Sequence, residues 1–597
     1  MIAFLRNTFN NHKKISNYIS KINKNIIFTS VFILLFIAFH LYLISQTFLI
    51  DSYSNIRSTI TGYGDIPLHL TQITKFAFQN PINLSEPIYY GQKLDYPFLI
   101  NLISGLMLRI TNNFSFSVLL PSFIFAACNI IIVFYIYRKF LKNSLLACLS
   151  LLIFYLGSGL GGLIYIQKAL ENKFNFMQFL HYLIQNNITT VVRFDTKYPS
   201  QNIDFGSPIS LVFLHQRAFF MGFLGFLIFL FFILAANQKS SKKIILILSG
   251  ISFGLLPLMH THSFIAAFIT IFSFVIVAFF KKEFVYVKKL IIVLIIGSAI
   301  AMPQVIYLTT ANSALTQAAG FIVPRLGWMV PPTIGAVTYP EMMLPTIFSF
   351  SFIQFLWLNF GIILPVFFIC LLKLAFRKNI WVKENSTIIY SFAFSGLMIF
   401  LLVQLIKFQP WDFDNNKLLV YFQFFAIPLI LMTIKNIYNK TKAAGILIAA
   451  VFILLSMFSG IIDMIPRLAM TQDTLPVIFA PDAQSLANYL KLNIPQEDLI
   501  LTGTDHRNPV DALAGRSVLV GYPGWLWSRG INYSIRESQI RNFYANPSRN
   551  NSLLKQFKIK YILLDNQTVF DLKANKETFN KNFKSVYQVG QYVLYKI

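Results

Sequence analysis

Apolar residues in this chain gather into runs of about twenty, the length an α-helix needs to cross roughly 30 Å of hydrocarbon. With 56% hydrophobic residues spread over 597 positions in this way, a soluble fold is excluded. The formal charge of +27 does not point to nucleic acid, because the Lys and Arg residues sit mostly in short stretches between the apolar runs, where they set membrane orientation. No nucleic-acid partner is expected. Cys128, Cys148 and Cys370 all lie inside apolar runs, so neither a disulfide framework nor a zinc spacing is present. The first run, Ile26 to Leu49, is too long for a signal-peptide core and is followed by no small-residue cleavage site, and is read as a retained anchor.

Arg6, Lys13, Lys14, Lys21 and Lys24 precede that run with no acidic residue among them, which places residues 1–25 in the cytoplasm. About eleven spans are expected, near 26–49, 118–137, 144–166, 215–236, 244–259, 263–280, 290–308, 353–376, 387–407, 417–434 and 443–463. Alternation then makes five loops cytoplasmic, and each is short and basic: Arg138, Lys139 and Lys142; Lys239, Lys242 and Lys243; Lys281, Lys282, Lys288 and Lys289; Arg377, Lys378 and Lys383; Lys435, Lys440 and Lys442. Pro97 to Ile110 is apolar but short; if it crossed, every later loop would change side, so it is placed as a helix lying at the outer interface. The long loops 50–117, 167–214 and 309–352 face outward, where long loops tend to carry function.

The expected organisation is therefore a polytopic α-helical transmembrane domain, 26–463, followed by an extracytoplasmic soluble α/β domain, 464–597. The tail changes character near Arg467, from continuous apolar runs to mixed sequence. Its spacing predicts helices over Asp482–Leu492 and Ile535–Tyr544 and short strands at Leu499–Thr502, Ser517–Val520 and Tyr561–Leu564.

The most informative stretch is Gly64-Asp65-Ile66-Pro67-Leu68-His69, in the first outer loop. Pro67 is tolerated near a helix start, Asp65 suits the N-cap, and His69 falls four residues on, on the same face. Two readings are open: a capped interfacial helix, or a carboxylate base at the membrane surface with His69 orienting it or binding phosphate when protonated.

A long first outer loop with an acidic residue just after the first span, then Asp95-Tyr96-Pro97-Phe98-Leu99, then a span closed by Tyr137-Arg138-Lys139, resembles the GT-C glycosyltransferase superfamily, which includes the protein O-mannosyltransferases and the aminoarabinose transferases of lipid A. The resemblance implies a GT-C-like membrane fold and an inverting transferase that uses a polyprenyl-phosphate-linked sugar donor and a lipid, glycan or protein acceptor. It also implies an acidic catalytic base in the first outer loop, at the position of Asp65, and leaves a divalent cation open. The expected setting is the outer face of a bacterial inner membrane.

A departing lipid phosphate needs cations near the membrane boundary. Arg217, in His215-Gln216-Arg217, is a candidate phosphate clamp or a snorkelling interfacial residue. Lys417, at the end of Trp411-Asp412-Phe413-Asp414-Asn415-Asn416-Lys417, has the same two readings; with Asp412 and Asp414 it forms an ion pair or polar site, or Asp414 and Lys417 simply cap the tenth span. His260 and His262 flank Thr261 in a tight turn; two histidines alone do not make a metal site, so a polar pocket or plain loop polarity is set against metal binding, and no metal ligands are assigned. Tyr96 completes the substrate-binding candidates. In the tail, Asp505-His506-Arg507 with Asp511, and Trp525 and Trp527 near Gly521-Tyr522-Pro523-Gly524, suit either sugar binding or packing.

There is no Walker A loop, no His-Glu-x-x-His and no Gly-x-Ser-x-Gly. The rival readings are a transporter or lipid flippase, and a noncatalytic lipid- or sugar-binding protein of the same fold. Transporters typically carry repeated halves and charges at the bilayer midplane, whereas the polar residues here concentrate at one boundary.

Overall fold

The computed structural model describes residues 25–185, 203–238, 241–311, 322–329, 349–376 and 386–597. The basic residues from Arg6 to Lys24, Lys239, the loop with Arg377, Lys378 and Lys383, and parts of the loops 167–214 and 309–352 lie outside the described residues.

Eight described helices are long and apolar enough to cross a membrane: Asn25–Ser45, Phe114–Leu141, Arg217–Ala236, Thr261–Phe280, Phe284–Thr310, Ser386–Leu405, Asp412–Lys440 and Lys442–Ala469. Their environments differ as their sequences do. The Asp412–Lys440 segment is 94% buried in its apolar window and stands at the centre of the bundle, whereas Asn25–Ser45 is 17% buried and presents Ile26, Ile27, Leu34 and Leu35 outward. A helix apolar on every side suits either protein core or lipid, and here the two cases are told apart by packing.

Two segments expected as continuous spans are broken. The 144–166 run forms a 13-residue helix, Ser144–Leu156, and stops because Gln423 of the central helix donates to the Ile153, Phe154 and Gly157 carbonyls at 3.2, 3.1 and 2.9 Å. Beyond it the backbone runs so close to residues 358 and 359 that a side chain at Gly159 would collide with two carbonyl oxygens at 2.3 Å. The 353–376 run is bent by 101° between Phe350–Phe360 and Ile363–Phe376, at Gly361, whose φ of +52° is open to glycine and costly for other residues. Counted as one span, this bent pair makes nine. The 244–259 run is a shorter apolar helix, Lys243–Met259.

A lobe covers one end of the bundle, built from both ends of the chain. Leu49–Ile50, Ile56–Arg57 and Val477–Phe479 form a three-stranded antiparallel sheet, so the segment after the first span pairs directly with the segment after the last. One apolar core holds Phe48, Ile66, Leu70 and Ile73 from the first loop together with Leu486, Leu490, Ile500 and Leu594 from the tail. The tail's own sheet has four strands in the order Leu499–Leu501, Ile559–Leu564, Tyr592–Lys596, Lys584–Val589; the first pair is parallel and the others antiparallel. The expected strand at 517–520 makes only single bridges, Val518 to Ile500 and Val520 to Tyr89, because the first loop inserts beside it. The last span runs on to Ala469, past the expected boundary at 464.

The short apolar segment near 97–110 is the helix Leu99–Thr111. Arg109 fastens it to the end of the Asp65–Phe78 helix, donating to the Ala77 and Gln79 carbonyls at 3.0 and 2.6 Å.

Candidate functional site

The residues expected to carry chemistry are positioned by the junction between bundle and lobe. Thr59 caps a short turn, Ile60–Tyr63, by accepting from the Gly62 N–H at 3.2 Å. The chain then enters the helix Asp65–Phe78, whose cap is Gly64. Asp65 is thus the first helical residue, one step past the N-cap expected for it, where a carboxylate still faces the positive end of the helix dipole. Its Oδ2 accepts from Gln216 Nε2 at 2.7 Å, and His215 Nε2 lies 3.5 Å from the same oxygen. The Asp65 side chain is 35% exposed. A carboxylate that is held in place yet reachable from solvent meets the two geometric needs of a general base.

His69 lies on the same helix but turns inward and is buried. The Asn101 side-chain amide donates to His69 Nδ1 at 3.1 Å and to Gln72 Oε1 at 2.8 Å, which leaves the imidazole proton on Nε2. Burial, reinforced by the charges of Arg217, His215 and Lys417, holds the His69 pKa well below that of a free imidazole. His69 is therefore neutral and can offer a hydrogen bond, whereas phosphate binding by its protonated form is opposed by this setting. Tyr96 sets its ring edge-on to His69 at 6.5 Å, and burial keeps its phenol neutral.

Lys417 ties these residues to the bundle. Its Nζ pairs with Asp414 Oδ2 at 3.1 Å, and the same carboxylate oxygen accepts from Gln409. Lys417 is close enough to Asp65, Tyr96, His69, His260 and His262 for its charge to act on each of them. His260 caps the Thr261–Phe280 helix, its Nδ1 accepting from the Ser263 N–H at 3.2 Å; Ser263 Oγ in turn meets the Tyr421 hydroxyl at 2.5 Å. The His260 and His262 rings stack at 5.3 Å. His262 Nε2 is buried without a hydrogen-bond partner among the described residues.

Two other candidates are engaged elsewhere. Arg217 is buried, its guanidinium donating to the Val118 carbonyl, to Ser122 Oγ at 3.1 Å and to Ser104 Oγ at 2.5 Å. It stitches together the helices Leu99–Thr111, Phe114–Leu141 and Arg217–Ala236. Asp412 pairs with Arg325 and lies 3.8 Å from Lys407 Nζ, in the two-stranded ribbon of Val323–Pro324 and Ile406–Lys407. Among the described residues no three His, Cys, Asp or Glu side chains come together as a metal would need, so no step is assigned to a divalent ion.

The tail reaches the same region through Arg529, which pairs with Glu86 and Asp95 and lies 5.8 Å over the Tyr96 ring. Gln216, His215 and Asn101 were missed as partners of Asp65 and His69, although His215-Gln216-Arg217 stood out as a polar start to an apolar run.

A scan of the sequence against protein-family models gives no match, and a sequence search of curated proteins gives none either. By structure the chain is similar to the archaeal oligosaccharyltransferase AglB from Archaeoglobus fulgidus, solved with an inhibitory peptide and a dolichol-phosphate; the TM-score is 0.52 at 12% identity, over 94% of this chain and 72% of that one. ArnT from Cupriavidus metallidurans, bound to undecaprenyl phosphate, aligns over 96% of this chain and 97% of its own with a TM-score of 0.49 at 8% identity. At such identity the likeness to AglB shows fold alone: a multi-pass helical membrane protein with a C-terminal lobe, folded like that neighbour.

Proposed function

We propose that the protein transfers a sugar from a polyprenyl-phosphate-linked donor to an acceptor hydroxyl, with Asp65 as the base, on the outer face of a bacterial inner membrane. The observation that carries this reading is a carboxylate, Asp65, held by Gln216 and His215 yet reachable from solvent, within range of the Lys417 charge in a fold like that of AglB. The AglB structure, which contains a dolichol-phosphate, supports the donor class, and the run of basic loops supports the orientation.

In the proposed step the acceptor oxygen bonds to the anomeric carbon as the bond from that carbon to the phosphate oxygen breaks. The hydroxyl proton passes to Asp65, and the bonding electron pair leaves with the lipid phosphate, whose charge Lys417 offsets. A single displacement inverts the anomeric centre. His69 Nε2–H, the Tyr96 hydroxyl and His262 Nε2 supply hydrogen bonds for sugar or phosphate oxygens, and the charge of Arg217, itself bound to Val118, Ser122 and Ser104, helps keep His69 neutral.

The test uses purified protein in lipid nanodiscs with undecaprenyl-phosphate-linked sugars as probes, following release of undecaprenyl phosphate. Asp65→Asn should lose about 10²-fold or more in rate while melting at the wild-type temperature. A wild-type rate in that variant rejects Asp65 as the base, and no release from any probe by the unmodified protein rejects the donor class.

A further inference from the structure

The tail carries a second polar cluster beside Asp65, at the carboxyl ends of its two parallel strands. Loops at the carboxyl ends of parallel strands are a common place for ligands in α/β sheets. Here Leu499–Leu501 leads into the loop 502–508, and Ile559–Leu564 leads into the helix Asn566–Phe570. The two exits lie side by side: a side chain at Gly503 would strike Gln567 Oε1 at 2.0 Å.

Rings gather beside the first of these exits. The His506 ring lies 5.0 Å from Tyr63, 5.4 Å from Tyr522 and 6.4 Å from Trp525, and Tyr522 meets Trp525 edge-on at 5.3 Å. None of the four is fully buried, and Tyr522 is 39% exposed. Amphipathic rings that stay half in water offer flat apolar faces together with hydroxyl and N–H groups at their edges. Between them stands a fixed ion pair. Asp505 accepts from the Arg507 backbone N–H at 2.7 Å and pairs with Arg507 Nη2 at 3.3 Å and His506 Nδ1 at 3.2 Å. Burial pushes the Asp505 carboxyl up, but these contacts outweigh it and hold the group below the usual carboxylate range, so it stays ionised. Arg507 also lies 5.5 Å over the Tyr63 ring.

We infer that this cluster of Tyr63, Asp505, His506, Arg507, Tyr522 and Trp525 holds the acceptor, and that the acceptor is a carbohydrate. The inference rests on the transferase reading above and adds its acceptor class. Three features select carbohydrate. Edge-on and tilted rings that remain part-exposed offer apolar surface to the C–H faces of a pyranose. The carboxylate and guanidinium balance in charge while offering both acceptors and donors, which suits an uncharged polyhydroxyl ligand better than a charged one. The patch alternates rings with polar groups, unlike the continuous apolar surface that a lipid chain needs. Its position fits too, because Tyr63, whose ring lies 5.0 Å from that of His506, is separated from Asp65 in the chain only by Gly64.

The experiment is binding of the full-length protein in nanodiscs to a printed glycan array, followed by tryptophan fluorescence titration with the retained glycans. Wild-type and Asp65→Asn proteins should retain the same glycans, and the double variant Tyr522→Ala, Trp525→Ala should bind them at least tenfold more weakly. Tyr522→Leu with Arg507→Gln provides a milder pair that should also lose affinity, with melting temperature as the check on folding. Retention of no glycan by the wild-type protein, equal binding by the variants, or a loss confined to arrayed peptides or to phosphatidylglycerol vesicles would each overturn the inference. If glycan binding tracks the rings while no lipid-linked sugar is turned over, the carbohydrate site stands and the transferase reading falls. If turnover occurs without glycan binding, the acceptor site alone falls.

Discussion

Gln216 donates from Nε2 to Asp65 Oδ2 at 2.7 Å, joining residues 151 positions apart at the starts of two helices. The contact sets the direction of the carboxylate, because a short side chain held by one oxygen has little rotational freedom left. Gln216→Leu keeps the volume and removes the donor. Transfer from undecaprenyl-phosphate-linked sugars is expected to fall about tenfold, the scale of one hydrogen bond to a charged group, with little change in melting temperature. Gln216→Glu should fall further, since it sets two carboxylates against each other.

Arg217, the next residue, is expected to behave differently. Its guanidinium holds Val118, Ser104 and Ser122, so Arg217→Met leaves three buried acceptors and should destabilise the bundle by about 2–4 kcal/mol. Thermal unfolding in detergent measures this. A normal melting temperature combined with weakened donor binding would assign Arg217 to the phosphate instead.

Arg529 clasps the tail to the first loop by pairing with Glu86 and Asp95, both buried. Arg529→Leu strands two carboxylates and should cost about 3–5 kcal/mol. Adding Glu86→Gln and Asp95→Asn should recover part of the loss. Limited proteolysis of the tail, together with unfolding curves, reports the order R529L below triple variant below wild type.

Lys75 is buried between the loop and the tail, its Nζ donating to Ser85 and, at 3.4 Å, to Ser517. Burial lowers its pKa to about 8 from 10.5, against the attraction of Glu86. Between those values the unfolded chain binds more protons than the folded one, so stability rises with pH through this window, by up to about 3 kcal/mol. Lys75→Met should flatten that rise relative to wild type in unfolding measured from pH 7.5 to 10.5.

The local pattern around residues 64–69 makes Asp65 a candidate, because proline tolerance and the polar spacing are properties of a few adjacent residues. The choice between Gln216 and Arg217 was invisible to the same reasoning: both open the same apolar run, and which one meets Asp65 depends on how the Arg217–Ala236 helix is rotated against its neighbours. Asn101 was hidden for a similar reason, as a single polar residue in a short apolar helix gives no sign of which face it turns to His69. His260 and His262 were recognised as a pair, but their neighbourhood with Lys417 depends on packing between the Thr261–Phe280 and Asn416–Lys440 helices.

The sequence by itself determined that the chain is a multi-pass membrane protein and where most of its long apolar helices lie, because bilayer thickness imposes a length on every apolar run. Only the tertiary structure decided where apolar runs break. Ser144–Leu156 stops because a glutamine about 270 positions away takes its carbonyls, and Gly361 bends a run whose hydropathy never falters. It also decided that Tyr63 meets His506, that Asp65 meets Gln216 and that the Lys417 charge reaches Asp65, since such neighbours depend on helix rotation and sheet pairing between segments hundreds of residues apart.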